Sequence, residues 1–366
     1  MFFSKISSLL YSVFSGYYPT NFIKTLNKTF YSSFIMKEDI LLTEKQINTV
    51  LNNIGEELLS FHLFEGGFIN PIYFITTKSQ LELVLRITNP LPKWRHWKTL
   101  NEIEVMKFLL TNTSIPVPKV WDSSVATDLI GYEYILMEKI EGIQMNIVYP
   151  DASYDLKCSL ISQILSFIKE MQKFTFLKIG SFQENMVLGP NYDIEAGPFE
   201  SINQFLSAAL ESRINDIADN SRYFHFISRL VKLKEKMGEM KLKQFPFVLT
   251  QCLEDKNILI KNGKISALLD YEWSGSYPIY TDLMNFEEIL QFPQFPRIEK
   301  YYREQLNELQ LEYSIPENIQ DFQEIEFLAM CLGSYKAWFV GKEAEGEEFI
   351  QKSSQQLNNL LKKYNC

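Results

Sequence analysis

The sequence predicts an α+β protein in which a small antiparallel sheet precedes a larger, mainly helical region. Apolar and polar residues alternate in the first half, as in 81–87, which is typical of a half-buried strand. After residue 150, apolar residues recur every three or four positions, as in 156–171, which is typical of amphipathic helices. The dipeptide Asn262-Gly263, between two apolar runs, predicts a tight hairpin. A chain of 366 residues is long enough for one large or two modest domains.

The N-terminal half begins with two predicted strands joined by a glycine turn. Residues 63–75 have the pattern strand, turn, strand, with Gly66 and Gly67 in the turn and Asn70 just after it. Glycine has no Cβ, so the backbone of such a turn can approach phosphate oxygens closely. The next predicted strand carries Arg86. This region therefore predicts a turn that can lie against an anionic ligand.

A helix and a further strand follow. Residues 100–109 have apolar positions at helical spacing, and Glu102 lies in this predicted helix. Residues 134–137 form the next predicted strand, which leads through Met137 into Glu138. Apolar stripes farther along the chain predict four more helices, in 202–214, 226–237, 301–309 and 325–339.

The predicted hairpin in the second half places two polar side chains near each other. Its turn pairs the apolar run 258–260 with 265–269, so Asn257 at one end comes near Asp270 at the other. Carboxylate and amide oxygens are hard ligands suited to a magnesium ion that carries phosphates. The hairpin therefore predicts a magnesium site formed by Asn257 and Asp270.

The segment before this hairpin resembles a kinase catalytic loop without its aspartate. Such a loop reads His-x-Asp-x-x-x-x-Asn, in which the Asp accepts a proton and the Asn holds magnesium. Counting back from Asn257, five residues lead to Cys252 and seven to Thr250. A second alignment puts Gln251 in place of the His, with one position missing before Leu253. Neither alignment supplies an Asp. The residues available to replace it are Cys252, Glu254 and Asp255.

The segment Leu-Asp-Tyr-Glu-Trp at 269–273 resembles the Asp-Trp-Glu segment of the aminoglycoside phosphotransferase and choline kinase superfamily. The glycine turn, the strand Arg, the helix Glu and the Pro-x-Pro at 116–118 follow in the same order as in that family. The resemblance covers about residues 40 to 290. It implies a bilobal protein-kinase-like fold, with an antiparallel sheet and one helix in the N-lobe and a larger helical C-lobe.

The resemblance also implies ligands and domain boundaries. ATP and Mg²⁺ are the expected cofactors, with the metal at Asn257 and Asp270. The expected domains are an N-terminal extension over 1–36, the N-lobe over 37–140 and the C-lobe over 141–366. The residues expected to bind the nucleotide are Gly66, Gly67, Asn70, Arg86, Glu102, Met137 and Glu138.

Three functions remain open for such a chain. In the first, the protein binds nucleotide but is catalytically impaired, as a pseudokinase is, because the loop Asp is missing. In the second, it is an active phosphotransferase on the hydroxyl of a small metabolite and uses Glu254 or Asp255 as the base. In that case Trp273, Tyr277 and Asp282 are expected to contact the substrate. In the third, it is a non-catalytic scaffold that binds a protein partner.

Composition excludes some other classes of protein. A net charge of −9 argues against a general nucleic-acid binder, which needs basic surface to follow phosphates. No apolar run reaches the ~18 residues needed to span a bilayer. Four scattered cysteines form no zinc motif or disulfide framework, so we expect reduced thiols and a cytoplasmic location.

The first 36 residues differ from the rest in composition. They contain no acidic residue and are rich in Ser, Phe and Tyr. We expect a disordered or surface-lying extension. Organellar targeting is the alternative, although such presequences are usually rich in Arg and this segment has none.

Overall fold

The computed structural model describes residues 41–366 apart from 65–69, 89–95, 192–193, 219–220, 291, 312 and 339–342. The predicted extension over 1–36 and the glycines Gly66 and Gly67 lie outside the described residues.

A five-stranded antiparallel sheet forms the small lobe, with strand order β1-β2-β3-β5-β4. A short helix, α1 (Glu44–Asn52), precedes it and begins with a capping box at Thr43. The strands are β1 (Leu58–Leu63), β2 (Ile72–Thr77), β3 (Glu82–Ile87), β4 (Val120–Ser124) and β5 (Tyr134–Glu138). Between β3 and β4 the chain forms the helix α2 (His96–Asn112).

The two faces of this sheet pack against different helices, because side chains alternate along a strand. On β5, Tyr134 and Leu136 join the core cluster that includes α1, whereas Ile135 and Met137 join the cluster that includes α2. The second cluster continues through apolar residues of the large lobe, such as Leu165 and Phe286. Helix α2 therefore shares its core with the large lobe as well as with the small sheet.

The large lobe is mainly helical. It starts with β6 (Ile143–Gln144), α3 (Met145–Val148) and α4 (Tyr154–Met171), followed by the short strands β7 (Thr175–Phe176), β8 (Ser181–Gln183) and β9 (Val187–Gly189). Next come α5 (Ile202–Ala218), α6 (Phe224–Glu239), β10 (Phe247–Thr250), β11 (Ile258–Lys261), β12 (Lys264–Leu268) and β13 (Gly275–Pro278). The chain ends in α7 (Thr281–Leu290), α8 (Pro296–Leu309), α9 (Glu317–Trp338) and α10 (Glu343–Lys363).

Short antiparallel ladders place the functional segments within this lobe. Strand β10 pairs with β13 and β7, and β11 pairs with β12 and β6. The predicted fold class is confirmed: a small antiparallel sheet with a packed helix is followed by a larger helical lobe. None of the helices that the structure describes has the length and apolarity required to cross a membrane.

Candidate active site

The hairpin of β11 and β12 brings Asn257 and Asp270 together, as the sequence predicts. Asn262 and Gly263 form the two-residue turn with φ of 52° and 74°, a conformation that Asn and Gly adopt readily. Asn257 immediately precedes β11, and its Nδ2 lies 3.4 Å from Oδ2 of Asp270. Asp270 has a φ of 63°, in the left-handed region that Asp tolerates better than most residues.

Two further carboxylates lie beside Asp270. One oxygen each from Glu102, Asp270 and Glu272 lies within 4.8 Å of the other two. Oδ1 of Asp270 is buried and has no hydrogen-bond partner among the residues that the structure describes. A buried carboxylate oxygen without a partner is costly unless a cation binds it. This donor set, all of it oxygen, therefore fits a Mg²⁺ ion.

Two buried cations balance these carboxylates. Arg86 on β3 forms a buried ion pair with Glu102 on α2, and its Nη1 also lies 3.5 Å from Oε2 of Glu272. Lys98, in the first turn of α2, places its Nζ 3.0 Å from Oε1 of Glu272. Asn70, two residues before β2, donates to Oε2 of Glu272 at 3.4 Å. Elements far apart in the sequence thus meet at residues 270–274, which we call the acidic segment.

The crowding of like charges raises the pKa of the acids. Burial raises the pKa of Glu102, and the charges of Asp270 and Glu272 add to this shift while the attraction of Arg86 opposes it. Burial, together with the charge of Glu272, raises the pKa of Asp270 to about 6. Burial alone would lower the pKa of Arg86, but the surrounding carboxylates raise it overall. A divalent cation would relieve this repulsion.

Asn101 joins helix α2 to the acidic segment. Its Nδ2 faces the carbonyl oxygens of Tyr271, Glu272 and Ser274 at 3.3, 3.3 and 2.9 Å. Its Oδ1 accepts a hydrogen bond of 2.7 Å from the N–H of Phe182 on β8. Asn101 is fully buried. One side chain therefore holds α2, β8 and the acidic segment in a single arrangement.

Several solved structures have the same overall architecture as this chain. A putative aminoglycoside phosphotransferase from Ralstonia eutropha JMP134 has a TM-score of 0.61 at 14% identity, with 88% of this chain and 99% of that chain covered. The gentamicin complex of APH(2")-IIa has a TM-score of 0.54 at 13% identity, with 87% and 97% covered. The protein has the fold of the aminoglycoside phosphotransferases.

Sequence comparisons agree over the N-terminal part. Residues 60–175 match the model of the phosphotransferase enzyme family. Two subtelomeric hrmA-associated cluster proteins from strains of Aspergillus fumigatus are each 32% identical over 120 residues, which is 32% of this chain. The match spans only 23% of the length of those relatives. The resemblance predicted from the sequence is confirmed.

Within this phosphotransferase fold, the loop before the hairpin is held by Asp282 in the first turn of α7. The carboxylate of Asp282 accepts hydrogen bonds from the N–H groups of Gln251, at 3.0 Å, and Cys252, at 2.9 Å. Burial raises the pKa of Asp282 to about 6, although these backbone N–H groups oppose the shift. The side chain of Asp282 is only 3% exposed and binds the loop backbone, and its expected contact with a substrate hydroxyl stays a prediction.

The three candidate replacements for the missing Asp lie in different surroundings. Cys252 donates its thiol to the carbonyl oxygen of Trp273 at 3.4 Å, and burial raises the pKa of that thiol. Asp255 begins a 3₁₀ turn, Asp255–Asn257. Burial raises its pKa overall, although the charge of Lys256 opposes the shift. Burial and the charge of Asp270 together raise the pKa of Glu254 to about 7. Of the three, Glu254 is the one that interacts with the candidate metal-binding acid.

The remaining predicted nucleotide residues lie at the end of β5. Met137 is buried in the core shared with α2, and Glu138 ends the strand with its side chain exposed. Four residues separate Glu138 from β6, the first strand of the large lobe, so Met137 and Glu138 lie next to the connection between the lobes. Their roles in binding adenine stay predictions.

Sequence reasoning missed three residues of the cluster, namely Lys98, Asn101 and Glu272. Lys98, Asn101 and Glu102 are spaced i, i+3 and i+4, so they share one face of α2. That spacing is the signal that could have revealed the first two once Glu102 was chosen. Glu272 lies two residues after Asp270, in the Asp-x-Glu pattern that suggested the metal site.

Proposed function

We propose that the protein binds a nucleoside triphosphate with Mg²⁺ between its lobes and that its phosphate transfer is impaired. The observation that carries this proposal is the cluster of Arg86, Glu102, Asp270 and Glu272, with Asn257 at its edge. A metal held by Asp270 and Asn257 would neutralise charge on the phosphates. Arg86 is the cation that contacts the phosphates, oriented by its ion pair with Glu102.

Impairment follows from the catalytic loop. Position 252, five residues before Asn257, carries a thiol where the kinase pattern has an aspartate. Burial keeps this thiol protonated near neutral pH, since it raises a pKa that is already above 8 for a free cysteine. Removing a general base typically lowers a rate by ~10² to 10⁴. Nucleotide binding does not depend on that base.

A second candidate function is slow phosphate transfer to a small-molecule hydroxyl with Glu254 as the base. The observation in its favour is the pKa of Glu254, raised to about 7 by burial and by Asp270. A base whose pKa lies near the working pH is effective in proton transfer. Similar solved structures contain gentamicin or hygromycin B. For this chain we propose only a small hydroxylated metabolite, with a cytoplasmic location supported by its four free thiols.

Calorimetric titration with ATP, with and without Mg²⁺, tests the proposal on the wild type and on Asp270→Ala. We expect Mg²⁺-dependent binding in the wild type and its loss in the variant, because Asp270 supplies the buried oxygen without a partner. Asp255→Ala serves as the matched control, since that acid does not belong to the cluster. Absence of binding at millimolar ATP in the wild type would overturn the proposal and favour a scaffold that binds a protein partner.

A further inference from the structure

The connection between the two lobes, residues 139–142, is bound to the hairpin of β11 and β12. Strand β6, which follows this connection, forms an antiparallel ladder with β11, in which Gln144 lies opposite Leu259. The hydroxyl of Ser266 on β12 donates to the carbonyl oxygen of Glu141 at 2.9 Å. The chain that joins the lobes is therefore hydrogen-bonded to both strands of this hairpin.

Gly142 allows this close approach. A Cβ at this position would lie 2.8 Å from Cβ of Leu259 and 2.7 Å from Oγ of Ser266. Carbon atoms that are not bonded to each other pack at about 3.5 to 4.0 Å, so a larger residue would push the connection away from the hairpin. Glycine at position 142 therefore lets β6 lie directly against β11.

Gln144 extends this contact to the loop that ends in Asn257. Its Nε2 donates to the carbonyl oxygen of Lys256 at 2.8 Å. That carbonyl and the N–H of Asn257 belong to the same planar peptide group. The N–H of Asn257 donates to the carbonyl oxygen of Glu254 at 3.0 Å, so both polar groups of this peptide are bonded. The orientation of the peptide sets the direction in which the Asn257 side chain leaves the backbone.

The other peptide group of Asn257 is bonded as well. Its carbonyl oxygen accepts a hydrogen bond of 2.8 Å from the N–H of Leu269. Glu254 and Leu269 belong to the loop and the hairpin, whereas Gln144 comes from β6, 112 residues before Lys256 in the sequence. Gln144 thus joins the candidate metal ligand to the chain that connects the lobes.

We propose that Gln144 is a positioning residue for the metal site, which holds Asn257 in the direction needed to bind Mg²⁺. This inference rests on the proposed function. Mg²⁺ demands near-ideal octahedral geometry, so a small rotation of one ligand weakens its binding.

The exposure of Gln144 separates this role from a role in stability. Because the bond lies at the surface, water can bond to the carbonyl oxygen of Lys256 when the amide is removed. Water restores the hydrogen bond but does not fix the orientation of the peptide. Loss of the Gln144 amide should therefore weaken metal binding while the stability of the fold stays nearly the same.

Calorimetric titrations with ATP, in Mg²⁺ and in EDTA, test this role on Gln144→Met, in which the side chain keeps a similar length but loses its donor. The dissociation constant in EDTA divided by that in Mg²⁺ measures how much the metal strengthens ATP binding. We expect this ratio to fall by about 3- to 10-fold in Gln144→Met, as for the net loss of one hydrogen bond. ATP affinity in EDTA and the midpoint of unfolding in urea should match the wild type. An unchanged ratio, or equal weakening of ATP in Mg²⁺ and in EDTA, would overturn the positioning role.

The matched control is Gln320→Met. Gln320, in the first turn of α9, is another exposed glutamine whose Nε2 donates to a backbone carbonyl oxygen, that of Ile315 at 3.0 Å. It makes no contact with the loop or the hairpin, so its loss should leave the ratio unchanged. A fall in the ratio as large as that in Gln144→Met would contradict a specific role for Gln144.

A double-mutant cycle with Asn257→Ala tests whether Gln144 acts through Asn257. Once the Asn257 side chain is absent, Gln144→Met should cause no further fall in the ratio. A further fall of about 3-fold or more in the Asn257→Ala background would overturn the proposal.

The failure of this inference is distinguishable from the failure of the proposed function. If the wild type shows no Mg²⁺-dependent ATP binding, or if Asp270→Ala retains it, the proposed function fails. If both proteins behave as proposed while Gln144→Met matches the wild type, only the positioning role fails.

Discussion

The two ends of the loop over 250–257, which resembles a kinase catalytic loop, differ in the side chains that they carry. At the Asn257 end, an amide, three carboxylates and two buried cations converge within a few ångströms. At the Cys252 end, the carboxylate of Asp282 still holds two backbone N–H groups in place, but the side chain presented there is a thiol. The backbone of the Cys252 end is therefore held in place, but the side chain there is not an acid.

Under the proposed function, this difference separates ligand binding from proton removal. Phosphoryl transfer depends mostly on positioning and charge neutralisation, which the Asn257 end would supply. A base would add a rate factor through one side chain, whereas the hydrogen bonds that Asp282 accepts are to the loop backbone and do not depend on that side chain.

The strongest way to break the comparison is to restore the acid with Cys252→Asp. Cys252 has a φ of 63°, which Asp tolerates, so the loop should keep its shape. We expect release of phosphate from ATP to water to rise by about 10²- to 10⁴-fold. Cys252→Asn, of similar size without the charge, is the control and should show no rise. If the rate rises equally in both variants, or rises in neither, the missing acid at position 252 is not what limits phosphate release.

Glu102→Gln tests the cation side of the Asn257 end. The change leaves Arg86 buried with weaker pairing, since the ion pair with Glu102 is its closest contact. We expect the free energy of unfolding in urea to fall by about 1–3 kcal/mol, because Glu272 still faces the Arg86 guanidinium after the change.

Glu82→Gln is the control for that loss. Glu82 pairs with Lys139 at 2.9 Å, but Glu82 is exposed and Lys139 is partly exposed. Its loss should cost about 0–1 kcal/mol. Comparable losses in the two variants would show that the Arg86–Glu102 pair contributes no more than a surface pair.

Asn101→Ala tests how α2 is held against the acidic segment. The N–H of Phe182 and three carbonyl oxygens lose their partner in a fully buried position. We expect a loss of about 1–3 kcal/mol in the free energy of unfolding. Weaker ATP binding should accompany it, because Glu102 is the next residue on α2. A stability loss with unchanged ATP affinity would show that the Arg86–Glu102 pair keeps its place without Asn101.

The smallest expected effect concerns pH and Glu254. Its pKa is raised in the folded protein from 4.5 to about 7, so the folded state holds this proton more tightly than the unfolded state. Its contribution to stability is therefore full below pH 4.5 and is lost as the pH rises through about 7. The difference in unfolding free energy between wild type and Glu254→Gln should change across that window. A pH-independent difference would show that Glu254 has an ordinary pKa.

Much of the fold and part of the site could be predicted from local patterns. The Asn262-Gly263 turn has one strongly favoured geometry, and with it the approach of Asn257 to Asp270 follows. Asp282 shows where prediction from local patterns ends. Its position in the sequence suggested a substrate contact, but only the packing of α7 beneath the loop shows that its carboxylate binds backbone.

The sequence by itself determined the order of the elements, the hairpin that carries Asn257 and Asp270, and the residue at position 252, a Cys where the kinase pattern has an Asp. These depend on turn geometry, side-chain periodicity and residue identity, which act over a few neighbouring positions. Only the tertiary structure decided that Lys98 meets Glu272, 174 residues away, and that Asn101 binds the same segment. It also decided the raised pKa of Glu254. Such contacts and shifts arise from burial and from charges brought together by packing, and no local pattern encodes them.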